Sequence, residues 1–292
     1  MDTKLLYDSI HKLITKACTE LPEDVNRALV NAYETEGNKT IASDTIGIIL
    51  KNISLSKENK QPICQDTGSI FAQVRYEPDT SASTVAYAIK EAVKDLTLHG
   101  MLRQNCVDPL VEKNTGDNTG DHVPQIHFIP HNGPTQIKIM LKGGGSENMG
   151  IQYSLPHTEL YAGRDLDGVR KCLIDAVYQA QGKGCSPGIL GVCIGGDRAS
   201  GYLIAKEQLF RNIEDINPSS KLARLEKTVL DQANSLNIGP MGLGGKSTLL
   251  GVKIAAAGRH PACYYVTVSY SCWATRRYCI ELSPEGRIQK WL

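Results

Sequence analysis

The sequence predicts a mixed α/β fold, with a helical N-terminal lobe packed on mixed β-sheet in a single compact unit. Three features predict it: helical spacing through the first hundred residues, short alternating segments through most of the rest, and glycine-rich loops beside several of those segments.

Apolar residues recur at helical spacing over 3–18, 22–35 and 40–53, and Leu21-Pro22-Glu23-Asp24 gives the second helix a proline and acidic start. "SIFAQVRY", residues 69–76, alternates as a strand, and a helix follows over 82–98. From 107 to 135 the chain is rich in Asn, Gly, Asp, Thr and Pro. Its doubled "NTGDNTG", 114–120, reads as consecutive turns, since two copies are too few for a structural repeat. Strands "QIHFIP" and "QIKIMLK" come next, then the glycine run "KGGGSENMG" at 142–150, a helix near 167–181 and the strand "GILGVCI" at 188–194. Helices are expected near 198–211 and 219–236, and the final fifty residues alternate as "LLGVKIAA", "CYYVTVSY" and a short pair after Arg277. No linker-like shift in composition interrupts 1–292, so the reading is one domain.

Composition narrows the function classes. Lys and Arg number 32 against 31 Asp and Glu, so no bulk charge draws the chain to nucleic acid or to an anionic membrane. The first residues, "MDTKLLYDSIHKLITKACTEL", interleave charges with apolar positions and lack a signal peptide's apolar core. No apolar run approaches the roughly 20 residues of a membrane span. A cytoplasmic location is expected. Nine cysteines with no Cys-x-x-Cys pair then read mostly as buried packing thiols, with a minority left for metal or catalysis.

One heptapeptide crowds reactive groups together. "PICQDTG", 62–68, places a thiol, an amide, a carboxylate and a hydroxyl between Pro and Gly. A tight turn ahead of a strand uses the same letters, so Cys64 is expected on a loop.

Two nucleotide motifs fail. A dinucleotide fingerprint in "GGGSEN" needs glycine where Asn148 stands, and a P-loop ending at Gly245-Lys246-Ser247 needs glycine where Pro240 stands. Glycine runs still let backbone come close to a ligand and aim several N–H groups at an anion, with Lys142 and Lys246 adding charge. With "GVCIGGD" at 191–197 they fit either tight turns or loops gathered around one small anionic ligand.

Three cysteine contexts stand out: "PICQDTG" around Cys64, "GKGCSPGILGVCIGGD" around Cys185 and "RHPACYYVTVSYSCWATRR" around Cys272. With "KGGGSENM" and "IGPMGLGGKSTLLGVKI" they resemble the iron-sulfur hydro-lyases, class I fumarate hydratases and L(+)-tartrate dehydratases, and more narrowly the alpha subunit of the two-subunit forms. The resemblance runs over nearly the whole chain. It implies a 4Fe-4S cluster held by Cys64, Cys185 and Cys272, with one iron left open as a Lewis acid.

Carried over by position, Gln65 and Asp66 contact substrate, with Asp66 giving or taking the proton at the hydroxyl. Arg103 in "MLRQNCV" binds a carboxylate, a task suited to a guanidinium fork, and competes with an ordinary surface arginine. Gly144 and Gly145 bring backbone to a substrate carboxylate. His260 faces the active site or is a structural histidine at a strand start. Cys106, Cys172, Cys193, Cys263 and Cys279 read as packing thiols. Arg276 and Arg277, after the third of these cysteines, are either substrate or cluster neighbours or caps of a strand end in solvent, with the solvent-facing reading preferred.

The resemblance also implies a small dicarboxylate or hydroxy-dicarboxylate substrate and a beta subunit that supplies the base and completes the site, so a hetero-oligomer active only when assembled. Fumarate and malate lead, and L-tartrate, giving oxaloacetate, is the alternative. A non-catalytic iron-sulfur sensor or assembly protein is the reading of another class. Gln65, Asp66, Arg103 and His260 together favour the enzyme, because a sensor needs no substrate cradle.

Overall fold

The computed structural model describes residues 1–78 and 80–292. In chain order the elements are α1 (Thr3–Thr19), α2 (Glu23–Glu36), α3 (Ile41–Asn59), β1 (Ser69–Tyr76), α4 (Ala82–Leu98), β2 (Val107–Asp108), β3 (Lys113–Asn114), β4 (Gln125–Pro130), β5 (Gln136–Lys142) and α5 (Gly144–Asn148). They continue as β6 (Ile151–Ser154), α6 (Leu166–Ala180), β7 (Gly188–Gly195), α7 (Arg198–Gln208), α8 (Ser220–Ser235), β8 (Leu249–Ala257), β9 (Tyr265–Ser271), β10 (Arg276–Leu282) and β11 (Ile288–Trp291). The mixed α/β class follows the two periodicities of the sequence. The third helix runs six residues past its expected end at 53, because nothing in "SLSKENK" breaks a helix before Lys60 turns left-handed and Pro62 follows.

The chain folds into two units, each assembled from separate stretches. Residues 1–22, 52–144 and 274–292 form the first; residues 23–51 and 145–273 form the second. A chain that passes between units four times, at 22–23, 51–52, 144–145 and 273–274, leaves no compositional boundary for a sequence reading to find.

The first unit is a five-stranded sheet in the order β11-β10-β5-β1-β4, with only β1 and β4 parallel. One face is covered by α1 and α4. Leu6, Ile10, Leu13, Val85, Ile89 and Val93 of the helices meet Ile70, Ala72, Ile137, Ile139 and Ile280 of the strands there. Asp2 and Ser81 cap the two helices through backbone amides.

The second unit is a four-stranded sheet, β6-β9-β7-β8. Leu190, Val192 and Ile194 of β7 pack with α6 and α8 in one core, while Gly191 turns to the other face, against Ala205 and Leu209 around α7. Every residue of β7 is buried, as expected of a central strand with helices on both faces. The N-terminal helices pack with the mixed sheets as expected, divided between the units: α1 on α4 and β10 in the first, and α2 on β8 in the second. Amphipathic helices show which face is apolar but not which sheet they will cover. Among the described residues, no helix is long and apolar enough to cross a membrane.

Candidate functional site

In the first unit, Cys64 sits on the loop between α3 and β1, as expected. The residue before it is clamped at both backbone groups: Ile63 donates its N–H to the Cys18 carbonyl at 3.0 Å, and its carbonyl accepts from the Asn52 side-chain amide at 2.8 Å. Ile63 itself is buried, and Cys64 is left half-buried. A thiol on a clamped backbone has its direction fixed before anything binds it.

Asp66 turns its carboxylate inward on its own loop. One oxygen accepts from the Gly68 N–H at 2.9 Å, and the other from the Gly144 N–H at 2.7 Å. A Cβ at Gly143 would stand 2.9 Å from that second oxygen, so the close approach permitted by this glycine run is made by Asp66. The Gly144 amide expected to face a substrate carboxylate is therefore already engaged.

Thr67 is buried, and its hydroxyl accepts from the Arg103 backbone N–H at 2.9 Å and the Asn105 amide at 3.2 Å. The 103–106 segment is held in turn by Asn118. The Asn118 oxygen accepts from the backbone of Asn105 and Cys106 at 2.7 and 3.0 Å, and its amide donates to the Thr97 hydroxyl and the Arg103 carbonyl at 3.0 and 2.6 Å. Asn118 opens the second "NTG", where the sequence predicts a turn; its left-handed φ of 58° bears that out. Its bracing role was not legible, because those partners lie up to 21 residues away. Gln65 and Arg103 are exposed, and both line an open cleft of about 600 Å³ with Cys64, Thr67, Leu102 and Gln104.

In the second unit, Cys185 and Cys272 come together. Cys185 lies in a loop between α6 and β7 with a left-handed φ of 54°, and its carbonyl accepts from the Trp273 N–H at 3.2 Å. Cys272 follows β9, and its N–H donates to the buried Ser146 hydroxyl at 3.1 Å. Tyr270 is the residue that sequence reasoning missed here. Only 2% exposed, it lies in the notch left by two glycines: a Cβ on Gly184 would stand 2.4 Å from its ring, and one on Gly188 2.2 Å from its hydroxyl. Burial pushes the Tyr270 phenol well above its ordinary range, and the charges of Cys272 and Cys185 push it further the same way. Both thiols therefore lie close to one ring.

The third glycine-rich loop braces this pair without offering an anion site. Ser186 donates to the Gly239 carbonyl at 2.6 Å, and its own carbonyl accepts from the Met241 N–H at 2.8 Å. The amides of Lys246 and Ser247, which resembled a phosphate cradle, donate to the buried Glu36 carboxylate at 3.0 and 2.6 Å. The anion in that loop is the chain's own. The Lys246 ammonium, expected to add charge for a ligand, donates to the Thr35 carbonyl at 3.3 Å. Gly145 is exposed at the start of α5.

His260 is exposed in the loop ahead of β9, and its Nδ1 accepts from the Ala262 N–H at 3.1 Å. Cys272 lies just beyond the other end of that strand. Seven strand residues at roughly 3.3 Å each separate the two ends. Arg276 and Arg277 are not solvent-facing caps: they are 1% and 6% exposed. Burial pushes the Cys172 thiol up to about 12 and those of Cys193 and Cys279 up to about 11, which fits packing thiols.

Three thiols and a polar cradle are not a mononuclear metal site. Among the described residues, no three His, Cys, Asp or Glu side chains are gathered to hold a metal ion. Taken one unit at a time, the sulfur donors are of the kind an iron-sulfur group takes: Cys185 and Cys272 brought together in the second unit, and in the first the half-buried Cys64 thiol on a clamped loop.

Comparison with known proteins gives a family match to fumarate hydratase (Fumerase) over residues 7–281. A Geobacillus stearothermophilus protein named as a class I fumarate hydratase is 46% identical across 98% of this chain. The chain spans 57% of that relative's length. A Methanocaldococcus jannaschii protein named as L(+)-tartrate dehydratase subunit alpha is 35% identical over 97% of this chain and 99% of its own length. The L(+)-tartrate dehydratase subunit alpha of Escherichia coli K12 is 31% identical over 89% of this chain and 84% of its own.

Proposed function

The chain belongs to the fumarate hydratase family, and from that premise we propose that it is the cluster-bearing alpha subunit of an iron-sulfur hydro-lyase interconverting fumarate and L-malate. The observation that supports the reading is that Cys185, in the loop between α6 and β7, and Cys272, just after β9, are brought together beside Tyr270 although far apart in sequence. With Cys64 they would hold a 4Fe-4S cluster, which when bound supplies an iron open to act as a Lewis acid on the substrate hydroxyl.

The chain's own residues do the rest. Asp66 is held by two backbone N–H groups, so its carboxylate keeps one orientation, and we assign to it the proton given to or taken from the substrate hydroxyl. Arg103, exposed at the cleft, offers a planar fork that matches a carboxylate in two parallel hydrogen bonds. Gln65 at the same cleft presents both a donor and an acceptor to the hydroxy-acid end of the substrate. The exposed Gly145 is assigned to backbone contact with the second carboxylate. Fixed donors of this kind stabilise the extra negative charge that develops on a carboxylate when its neighbouring carbon loses a proton. The base for that proton is assigned to a partner beta subunit. His260, exposed in the loop ahead of β9, is assigned on the resemblance to the active site.

A tartrate substrate is the second reading. It is favoured by the near-complete overlap with the archaeal relative named as a tartrate dehydratase alpha subunit, whereas the higher identity favours fumarate. The deciding experiment is anaerobic reconstitution with iron and sulfide, alone and with a candidate beta subunit, assayed on L-malate and L-tartrate. Malate dehydration by the pair alone is expected. Turnover by the isolated chain would overturn the subunit assignment, tartrate-only turnover the substrate, and an unchanged cluster in Cys185→Ser the ligand assignment. A cluster-loaded pair that turns over neither acid would leave the sensor reading in place of the enzyme.

A further inference from the structure

Arg276 is one of the largest fully buried side chains, at 1% exposure. It opens β10 opposite Leu141 of β5, so its side chain lies on the sheet face covered by α1 and α4, in line with Tyr278 and Ile280. An arginine in an apolar layer needs a counter-charge. Among the described residues, none accepts a hydrogen bond from its Nε or Nη1.

Two ordinary explanations fall short. The C-terminal end of α1 is close, since Cys18 lies in its last turn, but a helix end contributes about 0.3–1 kcal/mol, up to about 2 in partly buried geometries. Burying an ion costs several kcal/mol even after relaxation. The carboxylate of Glu20, just past the end of α1, is engaged elsewhere, 2.8 Å from the Lys16 ammonium and 3.7 Å from that of Lys57.

What Arg276 shares with the Cys64 loop is one end of the sheet: it pairs with Leu141 of β5, Leu141 pairs on its other side with Ile70 of β1, and the 62–68 loop leads into β1. The Cys18 carbonyl accepts from Ile63, the residue before Cys64, at 3.0 Å, and the Cys18 thiol donates to the Met101 carbonyl at 3.2 Å. Burial pushes that thiol up to about 11, and Arg276 pulls it back down.

We propose that Arg276 is the internal counter-charge of the anionic iron-sulfur group ligated by Cys64, a positioning residue that retains the cluster and raises its reduction potential. The inference rests on the assignment of Cys64 as a ligand. Adding one electron from a reductant makes the cluster more negative by one charge, and a fixed cation in a low-dielectric layer favours that state.

The test uses the full chain, anaerobically reconstituted with ferrous iron and sulfide, as wild type, Arg276→Met and Arg276→Lys. Two quantities are read: the one-electron midpoint in a dithionite titration followed by electron paramagnetic resonance, and the thermal midpoint of each cluster-free protein. Arg276→Met is expected to shift the one-electron equilibrium at least tenfold against reduction, about 59 mV, with Arg276→Lys restoring most of it. Loss of the cluster in Arg276→Met with retention in Arg276→Lys would support the same role. Cluster-free Arg276→Met is expected to melt higher than wild type, since an uncompensated buried charge has been removed. A merely structural arginine predicts the opposite. A variant that fails to fold, melts lower, or keeps the wild-type potential overturns the proposal. Failure of the wild type itself to assemble a cluster overturns the ligand assignment on which the proposal rests, a distinct outcome.

Discussion

Around Cys64 the chain is tied, and around Cys185 it is wedged. The first loop is held by discrete polar contacts: Ile63 at both backbone groups, Asp66 on two amides, Thr67 on Arg103, and Asn118 bridging Thr97 to the 103–106 segment. The second is held mainly by shape, with the Tyr270 ring in a notch where even one methyl group would stand 2.2–2.4 Å away. Polar ties fail when an atom is removed, and packed notches fail when one is added or when the wedge is lost. Two irregular loops that each carry a thiol are thus held by two kinds of interaction.

That contrast can be broken by substitution. Tyr270→Ala should have the largest effect, destabilising the protein by about 3–5 kcal/mol in a urea unfolding titration, because a buried aromatic leaves a cavity that two glycine backbones cannot fill. A loss under about 1 kcal/mol would mean that the ring is no wedge. Gly188→Ala should cost about 2–3 kcal/mol by overpacking, and the double variant with Tyr270→Phe should recover part of it by deleting the hydroxyl at 2.2 Å. Additivity of the two changes would count against direct contact.

On the tied side, Asn118→Ala should cost about 2 kcal/mol, since it strands the amides of Asn105 and Cys106. Faster amide exchange confined to residues 103–106 is the accompanying signature; uniform exchange across the first unit would contradict a local brace. One further effect is common to both units and serves as their control. Thiols of Cys18 and Cys279 in one, and Cys172 and Cys193 in the other, have folded values of about 11–12 against an ordinary 9.0. A raised value favours the protonated form in the folded state, so this stability is complete below about pH 9 and is lost as pH rises toward about pH 11 and beyond. Unfolding midpoints that rise across this window would contradict it.

The elements were largely legible, because period 3.6 and period 2 survive in the letters. The loop position of Cys64 and the packing role of Cys172 and Cys193 were legible too. Tyr270 was hidden for a simple reason: a tyrosine at an inward strand position looks like core, and its partners are glycines that carry no side-chain signal. For Arg276 the preferred of two readings, a strand cap in solvent, gives way to burial, because consecutive arginines at a strand start usually face water. Glycine runs suggested backbone open to a ligand, yet Asp66 and Glu36 occupy two of them.

By itself the sequence determined the secondary structure, the three cysteine contexts and the family they resemble, since these rest on local periodicity and on motifs that read in one dimension. The tertiary structure decided which helix covers which sheet, that Cys185 and Cys272 neighbour each other, and that an arginine lies in the layer between the first sheet and its helices with no acceptor for its Nε and Nη1 among the described residues. Those outcomes depend on contacts between residues distant in the chain, where burial and hydrogen bonding are shared and no short window of sequence contains both partners.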